Sequence, residues 1–200
     1  MRSAGFKMGP IMDSLTEIEI KLAFPSVAEA LEKIRALGAV EGAPRVFEDN
    51  LLFEHDDHPV RENGQTLRLR RAGSRSILTL KSKVKGEFRH KVRLEDETAV
   101  ADGDAIERVF LGLGFRPSWR YQKFRTTFRL DDLQIYLDET ALGCYVELEG
   151  PGDLIDAAAA RLGYGPESYI KASYRRLQES VHREQGTEPG DLLIAEEDRP

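Results

Sequence analysis

Glu17-Ile18-Glu19-Ile20-Lys21, close to the start of the chain, alternates charged and aliphatic side chains. Successive side chains of a β-strand point to opposite faces, so a strand here would carry both carboxylates and the ammonium group on one face. The aliphatic face would pack against a core. The charged face would suit a metal-phosphate complex, because carboxylates bind hard cations and ammonium groups bind phosphate oxygens.

The same alternation recurs along most of the chain and predicts a largely antiparallel sheet. Short turns that contain glycine or aspartate separate the segments and suit hairpin connections, as at Gly73-Ser74 and Asp131-Asp132. The predicted strands are residues 15–23, 45–54, 64–71, 76–83, 87–95, 119–130, 133–139 and 142–149.

Helical periodicity predicts four helices. In the first, Ser26 and Glu29 form a capping box before an apolar stripe, and Gly38 ends the helix. The second is expected to open at Asp104 and to turn its apolar residues inward, namely Ile106, Val109, Phe110 and Leu113. The other two are predicted at residues 153–162 and 167–183.

Charges segregate between the predicted strands. Cations dominate 64–71, 76–83, 87–95 and 119–130, and carboxylates dominate 15–23, 133–139 and 142–149. For any one strand, a solvated sheet face with mixed charges is the simpler interpretation. Across the set, the segregation favours a binding surface. So do the many arginines, because their planar guanidinium groups match phosphate oxygens.

A sheet of this size whose apolar side is covered by helices can curl into a barrel. We therefore predict an α+β fold: a closed or nearly closed eight-stranded antiparallel β-barrel, or tunnel, with helices packed on the outside. Its interior would hold charges of both signs, which is costly in a dry cavity. We expect a water-filled tunnel for a polyphosphate or nucleotide with a divalent metal.

The composition of the chain, 200 residues with 40% hydrophobic and 32% charged, fits one domain. A net charge of −6 argues against nonspecific binding to nucleic acid or an anionic membrane. The single cysteine, Cys144, fits a reducing compartment, so we expect a cytoplasmic protein with a packed thiol. We divide the chain into a disordered leader (1–13), one tunnel domain (14–183) and an acidic flexible tail (184–200).

Taken in order, these motifs resemble the CYTH superfamily, named for class IV adenylate cyclases and thiamine triphosphatases and also called triphosphate tunnel metalloenzymes. The resemblance spans roughly residues 15–178. The motifs that carry it are Glu17-x-Glu19-x-Lys21, Leu67-Arg68-Leu69-Arg70, Thr79-Leu80-Lys81, Lys123-Phe124-Arg125, Asp138, Gly143-Cys144-Tyr145-Val146-Glu147-Leu148-Glu149, and Ser173-Tyr174 followed by Leu177.

The resemblance implies metal-dependent chemistry on a triphosphate, with Mg²⁺ or Mn²⁺ as cofactor. By position, it assigns phosphate binding to Arg68, Arg70, Lys81, Arg93, Lys123 and Arg125. It assigns metal ligation or water positioning to Glu17, Glu19, Asp138, Glu147 and Glu149. Glu17, Glu19 and Lys21 would form the catalytic motif, in which Lys21 contacts phosphate or orients a carboxylate.

These expectations favour a triphosphatase that acts on tripolyphosphate, a nucleoside triphosphate or thiamine triphosphate. A class IV adenylate cyclase, which would direct the ribose 3′-hydroxyl at the α-phosphate, is the alternative. A noncatalytic polyphosphate- or nucleotide-binding module is the third interpretation. The expected partner is a small molecule with a triphosphate, with no nucleic acid and no membrane; a homodimer stays open.

Overall fold

The computed structural model of the protein describes residues 16–199, and the predicted leader (1–13) lies outside them. The strands are β1 (Thr16–Phe24), β2 (Val40–His55), β3 (Gln65–Ala72), β4 (Arg75–Lys83), β5 (Lys91–Val100), β6 (Phe115–Leu130), β7 (Leu133–Thr140) and β8 (Gly143–Glu149). The helices are α1 (Val27–Ala36), α2 (Gly103–Gly112), α3 (Gly152–Leu162) and α4 (Tyr174–Gln185), with 3₁₀ turns at Pro166–Ser168 and Glu196–Asp198. None of the helices among these residues is both long and apolar enough to cross a membrane.

The eight strands form a closed barrel in the order β1-β5-β4-β3-β2-β6-β7-β8, with every neighbouring pair antiparallel. Strand β1 closes the barrel, because Glu19 lies opposite Lys91 of β5 and Glu149 of β8. The predicted fold class, an antiparallel eight-stranded tunnel with helices outside, is confirmed.

The main hydrophobic core lies outside the barrel. The aliphatic faces of β1, β7 and β8 pack there against helices α1 and α3, with Ile20, Ile135, Leu148 and Ile155 all inaccessible to solvent. Burying these side chains is favourable at about 25 cal/mol per Å² of apolar surface. The alternating strands must then turn their polar side chains into the barrel.

Helices α1 and α3 agree with the sequence prediction. The Ser26 hydroxyl caps α1 by accepting a hydrogen bond from the Glu29 N–H at 3.2 Å. Gly38 follows the helix with a φ of +83°, a conformation that glycine adopts without strain. Helix α3 occupies 152–162, within one residue of the predicted 153–162.

The prediction for α2 is wrong in two respects. Asp102, rather than Asp104, caps the helix, because its carboxylate accepts a hydrogen bond from the backbone three residues later at 2.9 Å. Val109 and Leu113, predicted to face inward, are 54% and 62% exposed. Phe110, which was also predicted to face inward, makes the contact by packing on aromatic rings of β2 and β6. Helix α2 therefore rests on the barrel by a narrow row of side chains, which leaves part of its apolar stripe uncovered.

The fourth helix begins later than predicted. It is predicted over 167–183 but starts at Tyr174, because the preceding segment is hydrogen-bonded to strand β1 of the barrel. Ile170 accepts a hydrogen bond from the Lys21 N–H at 3.0 Å and donates one to the Lys21 carbonyl at 2.9 Å. This pairing requires extended backbone, so the helix starts only after Ser173.

Three strands differ from their predicted bounds by more than one residue, and one of them, expected over 119–130, begins at residue 115. The strand expected over 87–95 lies at 91–100, and the strand expected over 45–54 extends over 40–55. Residues 84–90 form a loop instead, although they continue the alternation of the strand that follows. Strand β2 carries three register shifts against β6, which account for its irregular pattern in the sequence.

The chain that follows α4 lies along β6. The Leu192 N–H donates to the Arg120 carbonyl at 2.9 Å, and the Gln122 N–H donates to the Leu192 carbonyl at 2.8 Å. This parallel bridge covers β6 where β7 does not pair with it. Leu192 and Ile194 are 4% and 8% exposed. The division into leader, tunnel domain and tail stays a prediction.

Candidate active site

The barrel encloses a cavity of about 1060 Å³ that is lined by the charged faces of its strands. Every predicted site residue except Asp138 lines this cavity. Several are nearly inaccessible to solvent: Glu19 is 4% exposed, Lys21 3% and Lys123 2%. Buried charges are stable only when they are paired, so their ionic partners determine which groups are free to bind a ligand.

Glu17, Glu19 and Glu149 form a carboxylate cluster on one wall of the cavity. One oxygen from each lies within 4.8 Å of the others. Glu17 and Glu19 project from the same face of β1, and Glu149 lies opposite Glu19 on β8. Burial, together with the charge of Glu17, raises the pKa of Glu149 to about 7. Glu17 Oε2 is buried and has no hydrogen-bond partner within residues 16–199.

The carboxylate cluster fits a hard divalent cation. Mg²⁺ and Mn²⁺ prefer oxygen ligands, and a bound cation would relieve the mutual repulsion of three crowded carboxylates. Glu17 Oε2 has no hydrogen-bond partner among residues 16–199, and the pKa of Glu149 is raised by burial and by its acidic neighbours, so a bound cation would stabilise both groups. These three residues have the ligand atoms and the spacing that could hold a metal ion.

Three lysines surround the carboxylate cluster. Lys81 Nζ lies 2.5 Å from Glu17 Oε1, Lys21 Nζ lies 3.3 Å from Glu19 Oε1, and Lys91 also donates to Glu19. Burial alone would raise the pKa of Glu19, but the charges of Lys21 and Lys91 hold it well below its usual range. Glu19 is therefore anionic and fixed in orientation.

Glu147 is bound by cations and lies apart from the carboxylate cluster. Its Oε1 lies 3.1 Å from Lys21 Nζ, and its Oε2 lies 2.7 Å from Arg125 Nη2. Burial opposes its ionisation, but Lys21 and Arg125 hold the pKa of Glu147 well below its usual range. Glu147 thus links the lysine of the β1 motif to the cations of β6. Its role as a metal ligand stays a prediction.

Arg68, Arg70, Lys123 and Arg125 form a cationic wall on β3 and β6. The Arg68 guanidinium donates to two hydroxyl groups, at 3.1 and 3.2 Å. Arg70 Nη1 donates to Glu48 Oε1 at 3.3 Å. Guanidinium groups can bind phosphate oxygens through two parallel hydrogen bonds, so this wall has the donors that a polyphosphate requires.

Arg93 is half-buried and lines the cavity without an acidic partner among the described residues. Its Nη2 donates to the carbonyl oxygens of Gly64 and Lys81, at 3.1 and 3.0 Å. Its Nε is buried and unpaired within that same part of the chain. Burial lowers the pKa of Arg93. Arg93 is therefore held in place by neutral groups, which leaves its charge available to an anionic ligand.

Asp138 lies behind the cationic wall and does not line the cavity. It is inaccessible to solvent, and its oxygens accept hydrogen bonds from Lys123, Arg125 and Tyr174. It is absent from the carboxylate cluster. The structure therefore does not bring Asp138 together with the acidic residues that were predicted to share its role.

The arrangement of the tunnel corresponds to a known family. The family model for the CYTH domain matches residues 15–174. The chain belongs to the CYTH domain family. The resemblance that the ordered motifs indicated is confirmed, and the barrel is a CYTH tunnel.

Proteins similar to this CYTH chain include a candidate adenylate cyclase of Methanocaldococcus jannaschii. It is 26% identical over 136 residues, which cover 68% of this chain and 77% of the relative. Among solved structures, the PH1012 protein of Pyrococcus horikoshii has a TM-score of 0.69 at 23% identity, covering 80% of this chain and 98% of its own. A candidate adenylyl cyclase of Hippeastrum, described as having a dominant triphosphatase activity, has a TM-score of 0.60 at 18% identity, covering 88% of this chain and 97% of its own. These two structures show the same fold.

The CYTH tunnel also contains buried residues that the sequence analysis missed. Glu48 and Asn50 are 3% and 0% exposed, and Asn50 Oδ1 accepts a hydrogen bond from Arg70 Nε at 3.2 Å. Tyr121 is 7% exposed, and its hydroxyl accepts one from Arg68. The available signal is the two-residue spacing of Glu48 and Asn50. It is obscured because Asp49 between them is also charged and the apolar Val46 and Leu52 also line the cavity.

Proposed function

We propose that this CYTH protein is a divalent-metal-dependent triphosphatase that hydrolyses a linear triphosphate inside its tunnel. The observation that carries the proposal is the presence of the carboxylate cluster and the cationic wall on the lining of one cavity. A triphosphate chain carries negative charge along its whole length and binds through both a metal and cationic side chains. Tripolyphosphate, a nucleoside triphosphate and thiamine triphosphate are the candidate substrates.

The cationic wall would bind the phosphate oxygens. Its side chains are already held by hydrogen bonds, Arg70 by Glu48 and Lys123 and Arg125 by Asp138. Groups that are oriented in advance stabilise a transition state without reorganising during the reaction. During hydrolysis the oxygen of a water molecule bonds to the terminal phosphorus and loses a proton to solvent, while the bond from that phosphorus to the bridging oxygen breaks. The bridging oxygen leaves on the diphosphate product, which is pyrophosphate from tripolyphosphate and the nucleoside or thiamine diphosphate from the other substrates. The guanidinium groups of the wall would stabilise the charge that develops on that oxygen.

Glu17, Glu19 and Glu149 would hold Mg²⁺ or Mn²⁺. A cation of this kind, when bound, neutralises phosphate oxygens and makes a coordinated water more acidic. Lys21 and Lys91 fix the orientation of Glu19 and keep it anionic. A bound triphosphate would displace water from the tunnel, which strengthens each of these charge interactions.

Adenylate cyclase is the second candidate function, and the name of the Methanocaldococcus jannaschii relative favours it. Cyclisation would use the same tunnel, but with the ribose 3′-hydroxyl directed at the α-phosphate and pyrophosphate released. The two reactions differ in which phosphorus is aligned with its nucleophile. We place hydrolysis first because it needs only the triphosphate pocket, whereas cyclisation also needs an adenine site.

Product analysis tests this proposal. Purified protein is incubated with tripolyphosphate, ATP or thiamine triphosphate and with Mg²⁺ or Mn²⁺, and orthophosphate, pyrophosphate and cyclic AMP are measured. We expect orthophosphate without cyclic AMP, and no turnover after chelation with EDTA. Glu149→Gln should lose most of the activity. Glu139→Gln should keep it, because Glu139 lies outside the tunnel lining and pairs with Arg45.

Two other outcomes would contradict the hydrolase. Cyclic AMP with an equal amount of pyrophosphate, formed from ATP, would identify a cyclase. No product with any substrate, despite thermal stabilisation of the protein by tripolyphosphate, would identify a noncatalytic binding module.

A further inference from the structure

The carboxylate of Asp138 accepts four hydrogen bonds from protein donors. Its Oδ1 accepts a hydrogen bond from Arg125 Nε at 2.6 Å. Its Oδ2 accepts from Arg125 Nη2 and Lys123 Nζ, both at 2.7 Å, and from the Tyr174 hydroxyl at 2.8 Å. A carboxylate offers about four lone-pair positions. Three of the four hydrogen bonds converge on Oδ2 and one on Oδ1. Because Asp138 is inaccessible to solvent and does not line the cavity, a metal ion in the cavity would have to displace these donors to reach its carboxylate.

Tyr174 joins helix α4 to the same group of charges. It is the first residue of α4 and is 5% exposed. Its ring centroid lies 5.3 Å from Lys21 Nζ and 5.4 Å from Lys123 Nζ, distances at which a cation is attracted to an aromatic ring. Burial and the charge of Asp138 raise the pKa of Tyr174 well above its usual range, so its hydroxyl is the donor.

Tyr174 is itself held by contacts on three sides. Ile170, four residues earlier, exchanges two backbone hydrogen bonds with Lys21 of β1. The Ser173 hydroxyl caps α4 by accepting a hydrogen bond at 3.4 Å from a backbone N–H of its first turn. Leu192, from the segment after α4, packs in the same buried cluster as Tyr174. The Tyr174 hydroxyl is therefore presented to Asp138 by a fixed segment of chain.

We propose that Asp138 and Tyr174 are positioning residues that hold Lys123 and Arg125 in the orientation that binds a triphosphate, and that Asp138 is not a ligand of the metal. The inference rests on the proposed function for the identity of the ligand. Lysine and arginine side chains are flexible, and ordering them when substrate binds would reduce affinity. Here the Asp138–Tyr174 pair orders both cations before any ligand arrives.

The first test compares two tyrosine variants. Tyr174→Phe removes the hydroxyl and keeps the ring. Tyr145→Phe is the matched control, because the Tyr145 ring lies 5.5 Å from that of Tyr174 and its hydroxyl has no hydrogen-bond partner in the part of the chain that the structure describes. Tyr174→Phe should weaken the binding of tripolyphosphate, measured by calorimetry in EDTA, by about tenfold. It should raise the KM for tripolyphosphate, measured with metal, by about the same factor. Its kcat should fall as well, because Arg125 belongs to the wall that stabilises the transition state. Tyr145→Phe should change none of these values.

The second test separates positioning from metal ligation. Calorimetry without substrate measures the Kd of Mn²⁺ for wild type, Asp138→Asn and Glu149→Gln. We expect Asp138→Asn to bind Mn²⁺ as wild type does but to bind tripolyphosphate at least about tenfold more weakly. Glu149→Gln should weaken Mn²⁺ binding. Thermal unfolding verifies that each variant is folded. If Asp138→Asn does not fold, the comparison of Tyr174→Phe with Tyr145→Phe tests the positioning role by itself.

Two results would overturn the inference. One is a loss of Mn²⁺ affinity in Asp138→Asn as large as in Glu149→Gln, which would make Asp138 a metal ligand. The other is equal affinity of Tyr174→Phe and Tyr145→Phe for tripolyphosphate. Binding is measured without turnover, so a protein that binds tripolyphosphate and releases no orthophosphate refutes the hydrolase proposal alone. A wild-type protein that does not bind tripolyphosphate refutes both.

Discussion

Replacing Glu48 with glutamine tests how strongly the tunnel stabilises a buried charge. Glu48 is 3% exposed, and its oxygens lie 3.3 Å from Arg70 Nη1 and 3.7 Å from Lys123 Nζ. Burial by itself would raise the pKa of Glu48. The charges of Lys123, Arg125 and Arg70 outweigh burial and lower this pKa to about 2. The ionised carboxylate therefore stabilises the folded state.

The magnitude follows from the change in the pKa of Glu48. A decrease from 4.5 to about 2 corresponds to about 3 kcal/mol, at about 1.36 kcal/mol per pKa unit. Because the folded-state pKa is the lower one, this stability is fully present above pH 4.5 and is lost as the pH falls through about 2. Glu48→Gln should thus reduce the free energy of unfolding by about 3 kcal/mol at neutral pH. Its difference from wild type should shrink as the solution is acidified.

Urea unfolding followed by circular dichroism, repeated from neutral to acidic pH, measures this difference. Glu41→Gln is the control, because Glu41 is exposed on the same strand and its replacement removes the same charge. A difference between wild type and Glu48→Gln that does not change with pH would refute the reasoning. So would a neutral-pH effect no larger than that of the control.

Three further predictions concern other parts of the tunnel. Arg70→Ala should raise KM for tripolyphosphate and lower kcat, for a total loss of about 2–4 kcal/mol in transition-state stabilisation; steady-state kinetics close to wild type would contradict the role of Arg70. Leu69→Ala should lower the free energy of unfolding by about 2–5 kcal/mol in urea, because Leu69 is fully buried. A stable but inactive Leu69→Ala would show that the face assignment is inverted. Cys144 should react slowly with iodoacetamide at mildly alkaline pH, since burial raises its pKa to about 11; a rate equal to that of the unfolded protein would be the opposite result.

The inward charged face could be predicted from the sequence because most strands alternate regularly. Arg68 and Arg70, like Lys123 and Arg125, are two residues apart in such strands, so one orientation places both of each pair on the cavity. Leu69 and Phe124, which lie between the members of each pair, then had to face away from the cavity. Local periodicity and the number of strands were sufficient to predict the barrel.

What could not be predicted depends on contacts between distant segments. Glu48 stands next to the charged Asp49, and the apolar Val46 and Leu52 also line the cavity, so no alternation of charged and apolar residues marked its inward direction. The apolar stripe of α2 is wider than the part of the helix that contacts the barrel, so Val109 stays exposed although its spacing predicts burial. Asp138 stands on the same face of its strand as the tunnel residues, but Lys123, Arg125 and Tyr174 occupy its oxygens. The sequence of one strand does not show which side chains of other strands and helices will form ion pairs with its charged residues.

The most direct test of the tunnel's function is a crystal structure of the protein with tripolyphosphate and Mn²⁺. We expect phosphate oxygens between the two walls of the cavity, within hydrogen-bond distance of Arg68, Arg70 and Arg125. Anomalous scattering should place Mn²⁺ on the carboxylates of Glu17, Glu19 and Glu149. Phosphates bound only outside the barrel, or Mn²⁺ absent from that cluster while phosphate is bound, would contradict a metal-dependent triphosphate tunnel.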